Sequence, residues 1–337
     1  MALAIQSAGI ELVRGCNFAC PMCPVTSYEA LEPHKFQFID LDLLRHFAEE
    51  LDRHPSVRTV WFFHFGEPLA HPRYKECLSI LRGSEVARNA NVIQHTNGSL
   101  LHGARADAIL DIPIIKNLVI SFDGFGDRVS FERLRGPHFD RVVRNVRAFA
   151  AKARERRPDL VLSTCSIVPK ASEVPGLEAR SWEDAVNGLE RLFQGTGIHV
   201  QARPMHGYND PAVLAISGEP SSTVKGGCLF LERYELYVTV NGWVQPCCAV
   251  YDESFNVGNL REHSLGALLN GAPLSDIRHT LRLDRRADLP HCRNCTLSIA
   301  GESDQAWLRT FWQDKIERGE ITDADELAYL RNVIARG

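Results

Sequence analysis

Three cysteines near the start of the chain, Cys16, Cys20 and Cys23 in the segment RGCNFACPMCP, stand at C-x3-C-x2-C spacing. Thiolates spaced this way on one loop can wrap one face of a [4Fe–4S] cube and leave its fourth iron without a protein ligand. An electron-transfer cluster normally takes four cysteines, so a triad suggests an iron kept open for a substrate. A zinc site short of one ligand and a chance group of buried thiols are the competing readings. A second set lies far downstream: Cys228, Cys247, Cys248 and the C-x2-C pair Cys292 and Cys295. Clustered cysteines in a reducing compartment point to metal or redox chemistry, because disulfides do not persist there. Cys77 and Cys165 stand alone and read as small buried hydrophobes.

Other candidates flank these groups. His64 and His71 bracket Gly66-Glu67-Pro68, where either ring could reach a substrate or serve a structural role. Arg133 and Arg135 in the segment ERLRG could grip a carboxylate in a bidentate fashion or form salt bridges.

The elements that must position these residues form a strand–helix alternation over roughly the first 200 residues. Strands are expected at 10–13, 57–65, 91–95, 117–122 and 160–168. Helices are expected after an N-cap at Asp40, then at 74–81, 103–110, 139–156 and 182–193. Such units imply a parallel sheet with right-handed crossovers, about six of them and so fewer than a complete barrel. The Gly-, Pro-, Ser- and Asn-rich stretch 204–227 reads as a linker or long loop. Asn241-Gly242 between apolar segments predicts a hairpin leading into Cys247 and Cys248. Helical patterns at 264–269 and from 304 onward close the chain.

Composition narrows the function. A length of 337 residues fits one large domain plus a small one, and the net charge of -4 gives no reason to expect nucleic acid or an anionic membrane as partner. No secretory signal and no apolar run near the ~20 residues of a bilayer span is present, so a cytoplasmic location is the expectation.

The triad, with four later segments in order, resembles the radical S-adenosylmethionine superfamily. Those segments are Gly66-Glu67-Pro68, His95-Thr96-Asn97-Gly98, Ser121-Phe122-Asp123-Gly124 and the strand end at 166–170. The resemblance implies a partial (β/α)6 TIM-like barrel with its chemistry at the carboxyl ends of the strands. It makes Cys16, Cys20 and Cys23 ligands of a cluster that binds S-adenosylmethionine. Gly66, Glu67 and Pro68 form the loop for the methionine amino group, with Glu67 supplying negative charge. Asn97 and Ser121 would bond the ribose or carboxylate, and Met22 would join the cofactor-binding residues. A plain turn residue at Asn97 and a strand-end hydroxyl at Ser121 are the alternatives.

The spacing from Cys228 through Gly242 to Cys247, and the segment PCCAVYDESFNVGNLREHSLGALLNG, look like the auxiliary-cluster domain called SPASM in its long form and twitch in its short form. No cysteine follows Cys295, so the resemblance gives one auxiliary [4Fe–4S] cluster on Cys228, Cys247, Cys292 and Cys295, with a four-cysteine zinc site as rival. Cys248 is left over, as a hydrogen-atom donor or a packed thiol. The expected domains are a barrel at 1–205, the auxiliary-cluster domain with its β-hairpin and helix at 206–300, and a helical extension at 301–337.

The implied reaction begins when an electron donor such as flavodoxin or ferredoxin reduces the first cluster. The bound sulfonium then gives a 5′-deoxyadenosyl radical, which takes a substrate hydrogen. Dehydrogenation of a small polar metabolite, such as an aminoglycoside, cyclitol or sugar precursor, is the favoured outcome. The fifteen residues before Cys16 leave no room for a leader-binding domain. Epimerisation with Cys248 as donor, decarboxylation and peptide maturation are the other outcomes. A non-catalytic iron–sulfur or zinc scaffold is the alternative of another class.

Overall fold

A computed structural model describes residues 3–26, 36–168, 180–204, 227–251, 253–293, 295 and 302–335. Among the described residues eight strands form one sheet, in the order Val244–Gln245 (β10), Glu235–Val238 (β9), then β1-β4-β5-β6-β7-β8. Here β1 is Ser7–Ile10, β4 Thr59–Trp61, β5 Asn91–Thr96, β6 Asn117–Ser121, β7 Val161–Val168 and β8 Ala202–Pro204. These six run parallel, as expected for a partial (β/α)6 barrel. Two short strands, β2 (Val13–Arg14) and β3 (Gln37–Phe38), pair separately beside the cysteine loop.

The auxiliary hairpin is not a detached layer. Its first strand, β9 (Glu235–Val238), pairs in parallel with β1 from Ser7↔Glu235 to Ile10↔Val238, and β10 (Val244–Gln245) returns antiparallel to β9. The segments that carry the two cysteine sets therefore share a hydrogen-bonded strand pair.

Local chemistry explains the helices. Asp40 caps Leu41–Asp52 by accepting from Asp42 N–H at 2.9 Å, and Leu43, Leu44, Phe47 and Leu51 turn inward. Ser181 and Asp184 form a capping box on Trp182–Leu192. The helix Phe139–Arg156 has the bounds expected from its periodicity. Among the described residues four helices were not expected from the sequence: Glu85–Asn89, Arg128–Arg135, Leu229–Glu232 and Ala272–Arg282. The first strand lies earlier than expected, because Val13–Arg14 belongs to the separate pair, and the second is shorter.

Strand alternation defines the interior. Val60, Phe62, Val92, Gln94, Leu118 and Ile120 are fully buried against the helices. Their neighbours Trp61, Phe63, His95, Ser121, Cys165 and Ile167 face the other way and stay partly exposed. In central strands of a parallel sheet, that pattern marks a lumen open to solvent or ligand. The C-terminal helices Glu302–Glu317 and Ala324–Ala335 enclose a small core of their own around Trp312, Ile321 and Leu330. Among the described residues no helix is long and apolar enough to cross a membrane.

Candidate active site

The triad loop leaves β2 and is held by its own backbone. Cys23 N–H donates to Cys20 O at 3.0 Å, Thr26 N–H to Cys23 O at 3.0 Å, and Phe18 N–H to Cys16 Sγ at 3.4 Å. The three thiols lie close enough to act on one another electrostatically. Burial pushes Cys16 and Cys20 up and Cys23 up to about 12, because desolvation disfavours the thiolate. Arg135 offsets part of this at Cys20 and Cys23.

The Gly66 loop is locked to the residues just before Cys16. Glu67 N–H donates to Gly15 O at 3.1 Å, and Gly66 has φ +78°. A Cβ at Gly66 would lie 2.3 Å from Val13 O and 2.5 Å from Gly15 O, which leaves room only for glycine. Glu67 itself is buried. Its carboxylate is 1% exposed and accepts from Leu69 N–H (3.1 Å), Thr96 Oγ1–H (2.7 Å) and Asn97 N–H (2.7 Å). Glu67 thus ties the end of β4 to the end of β5. Burial still raises its pKa, against the pull of these three bonds. Pro68 is buried at the start of the following 3-10 turn.

Asn97 is similarly engaged. Its Nδ2 donates to Asn17 Oδ1 at 2.9 Å and lies 3.6 Å from Cys16 Sγ, while its Oδ1 accepts from the backbone N–H and hydroxyl of Ser99. It steadies the cysteine loop rather than acting as a plain turn residue. Ser121 ends β6 with a partly exposed hydroxyl that makes no hydrogen bond among the described residues. Met22 lies in the hydrophobic core at 4% exposure. The strand end at 169–170 lies outside the described residues, as does most of the expected linker (205–226).

Sequence reasoning left Arg135 undecided between two roles. The structure buries it with Nε 2.6 Å from Asp123 Oδ2, while Arg133 faces solvent. Asp123 also accepts from Ile167 N–H at 2.8 Å, so the pair links β6 to β7 beside the triad. His71 accepts from Arg73 N–H and packs against Phe38, a structural role. His64 stacks on Tyr237 at 5.2 Å, and burial pushes its pKa down to about 3.

The downstream cysteines converge. Cys228 feels Cys295, Cys247 feels Cys295 and Cys228, and Cys292 feels Cys228 and Cys295. Burial raises Cys228 to about 11 and Cys292 to about 12. Cys295 N–H donates to Cys292 O at 3.2 Å, and Arg286 Nη2 donates to Gly227 O at 3.0 Å, fixing the turns that bear these thiols. Cys248 hydrogen-bonds Cys247, which lowers Cys248 and raises its neighbour, and it also reaches Tyr237. Tyr237 O–H in turn donates to Glu235 at 2.7 Å. Cys77 and Cys165 belong to neither group.

Among the described residues no three His, Cys, Asp or Glu side chains close on one point as ligands of a single ion would. The fit to larger groups rests on donor chemistry: soft thiols only, three in one loop and four joined through pairwise electrostatic interactions centred on Cys228 and Cys295, as suits iron–sulfur clusters.

Residues 10–173 match the family model of the Radical SAM superfamily, and residues 228–296 match SPASM, an iron–sulfur cluster-binding domain. A curated relative from Pyrococcus furiosus, the tungsten-containing aldehyde ferredoxin oxidoreductase cofactor-modifying protein, is 27% identical over 92 residues. That stretch is 27% of this chain and spans about a quarter (24%) of the relative. Similar solved structures include BtrN in complex with AdoMet and 2-DOIA, with a TM-score of 0.55 and 15% identity over 88% of this chain and 94% of that one. Native anSMEcpe with bound AdoMet has a TM-score of 0.60 and 14% identity over 98% and 100% of the two chains. Streptococcus suis SuiB bound to precursor peptide SuiA has a TM-score of 0.62 and 13% identity over 88% and 71%. At these identities the likeness is one of fold.

Proposed function

We propose that this chain, which belongs to the radical S-adenosylmethionine superfamily and carries an SPASM-type iron–sulfur domain, oxidises its substrate by radical dehydrogenation. The observation that supports this reading is the pairing of β1 with β9, the strands from which the two thiol-bearing segments continue. Cys16, Cys20 and Cys23 would hold the first [4Fe–4S] cluster, and Cys228, Cys247, Cys292 and Cys295 the auxiliary one. When bound, these groups and S-adenosylmethionine supply reductive cleavage to methionine and a 5′-deoxyadenosyl radical, and a one-electron acceptor for the substrate radical.

The chain's own residues supply the rest. Glu67, Thr96 and Asn97 fix the mouth of the barrel, and the Gly66 backbone packs against the triad loop. Ser121 offers its hydroxyl at the strand end where S-adenosylmethionine would lie. Arg135 places positive charge beside Cys20, where it favours thiolate.

Anaerobic reconstitution tests the reading. About eight irons per chain with 5′-deoxyadenosine formation support it; zinc content without cleavage contradicts it. Cys248, which hydrogen-bonds Cys247 and Tyr237, bears on a second reading, epimerisation with a thiol as hydrogen-atom donor. Cys248→Ala separates the two. Dehydrogenation predicts product formation in the variant with no solvent deuterium at the reacting carbon of wild-type product; an epimerase loses its solvent label in the variant.

A further inference from the structure

The register of the sheet sorts the lumen wall into layers. Gly9 of β1 is level with Trp61 of β4 on one side and with Tyr237 of β9 on the other. Level residues of neighbouring strands share a face, so Trp61 and Tyr237 stand on the lumen face beside a residue that has no side chain. Tyr237 leans into that gap, where a Cβ at Gly9 would lie 2.4 Å from its ring carbon Cδ1. The next layer lies toward the carboxyl ends of the strands. There Phe63 stacks on His95 of β5 with centroids 4.2 Å apart and meets Trp61 edge-on at 5.9 Å. Four rings thus line the lumen between β9 and β5.

Two features of this wall select a ligand. The first is incomplete cover: Trp61, Phe63 and His95 are half-buried, whereas Val60 and Phe62 on the helix-facing side are fully buried. Large rings left half-covered inside a sheet present faces that a flat partner completes by stacking. The second is that the polar handles of the deeper layer are spent. Trp61 Nε1–H donates to Ser7 Oγ at 2.7 Å, and Tyr237 O–H donates to Glu235 Oε2 at 2.7 Å. A polyol pressed against these rings gives up its bonds to water and finds both donors occupied, while an aromatic ring has no such bonds to lose.

We infer that the substrate presents an uncharged aromatic ring to Trp61, Phe63 and His95, with Tyr237 closing the deeper layer of the lumen. This rests on the radical reading of the site. It also revises the expectation of an aminoglycoside, cyclitol or sugar precursor. The ring belongs either to a free metabolite or to a side chain of a peptide, and the same wall serves both.

The test is isothermal titration of the reconstituted enzyme, loaded with S-adenosylmethionine and without reductant, using indole, N-acetyltryptophanamide and myo-inositol as probes. At least one aromatic probe binds with a dissociation constant below about 1 mM, and myo-inositol binds about tenfold more weakly or not at all. Tighter binding of N-acetyltryptophanamide assigns the ring to a peptide, and equal or tighter binding of indole assigns it to a free metabolite. Phe63→Leu weakens the aromatic probe about fivefold, while Phe63→Trp, which keeps a flat face, retains it. His95→Leu repeats the loss from the neighbouring strand, with iron content and melting temperature showing that each variant is folded. Binding of myo-inositol as tight as that of the aromatics, binding of neither aromatic, or full affinity in both leucine variants overturns the inference. Cleavage of S-adenosylmethionine is followed in the same wild-type preparation after reduction. Its absence defeats the radical reading, whereas cleavage with the wrong probe preference defeats only the substrate class.

Discussion

At the scale of single residues, the cofactor loops depend on a few buried hydrogen bonds. Thr96 donates to Glu67 Oε1 and accepts from Gly98 N–H at 3.1 Å. Thr96→Val keeps the shape and removes both bonds, leaving buried polar groups unpaired. The expected cost is about 1–3 kcal/mol, read as a lower thermal midpoint, together with slower cluster loading. Glu11 gives a pH signature. It is fully buried, and burial lifts its pKa to about 7 from 4.5 although Arg14 lies 3.1 Å away. Between those values the folded chain binds more protons than the unfolded chain, so stability falls as pH rises through that window and then levels. Glu11→Gln removes the slope, as thermal midpoints from about pH 5 to about pH 8 would show. The sequence made Glu67 and Asn97 visible as site residues through their motifs. It could not show that their side chains are engaged in holding loops together, because Glu67 meets Thr96, and Asn97 meets Asn17, only when the strands align.

At the scale of elements, one arginine joins three segments. Arg282, on the helix Ala272–Arg282, makes a bidentate pair with Glu232 at 2.9 and 3.0 Å. It also reaches Glu326 of the last helix at 3.1 Å and lies 4.8 Å from the Trp312 ring centroid. Glu232 ends the short helix that follows Cys228. Arg282→Ala leaves Glu232 buried without a partner and costs about 3–5 kcal/mol by chemical denaturation. The same variant should lose auxiliary iron before triad iron, because Cys228 is the thiol nearest in sequence to the lost anchor. Most long helices were legible from their apolar periodicity and caps, as Asp40 and Leu41–Asp52 illustrate. Arg128–Arg135 was missed because its charged sequence has a weak apolar stripe, and its buried face is only Ser130, Phe131 and Leu134.

At the scale of the whole molecule, the sequence implied a barrel and an accessory cluster domain but not how they join. The pairing of β9 with β1 could not be read from either strand, since parallel register is set by tertiary packing rather than by local pattern. That pairing brings the accessory hairpin against the barrel strand that leads to the triad. Arg14, two residues before Cys16, reinforces the junction: it pairs with Glu253 at 3.0 Å and lies 5.1 Å from the Tyr251 ring centroid, both just beyond Cys248. The account depends most on one iron of the triad cluster being open to S-adenosylmethionine. Electron paramagnetic resonance of the reduced, reconstituted protein tests this most directly, with Cys292→Ala used to remove the auxiliary signal. Adding S-adenosylmethionine should shift the remaining spectrum, and Cys16→Ala in that background should abolish it. A triad spectrum that S-adenosylmethionine leaves unchanged would contradict the account.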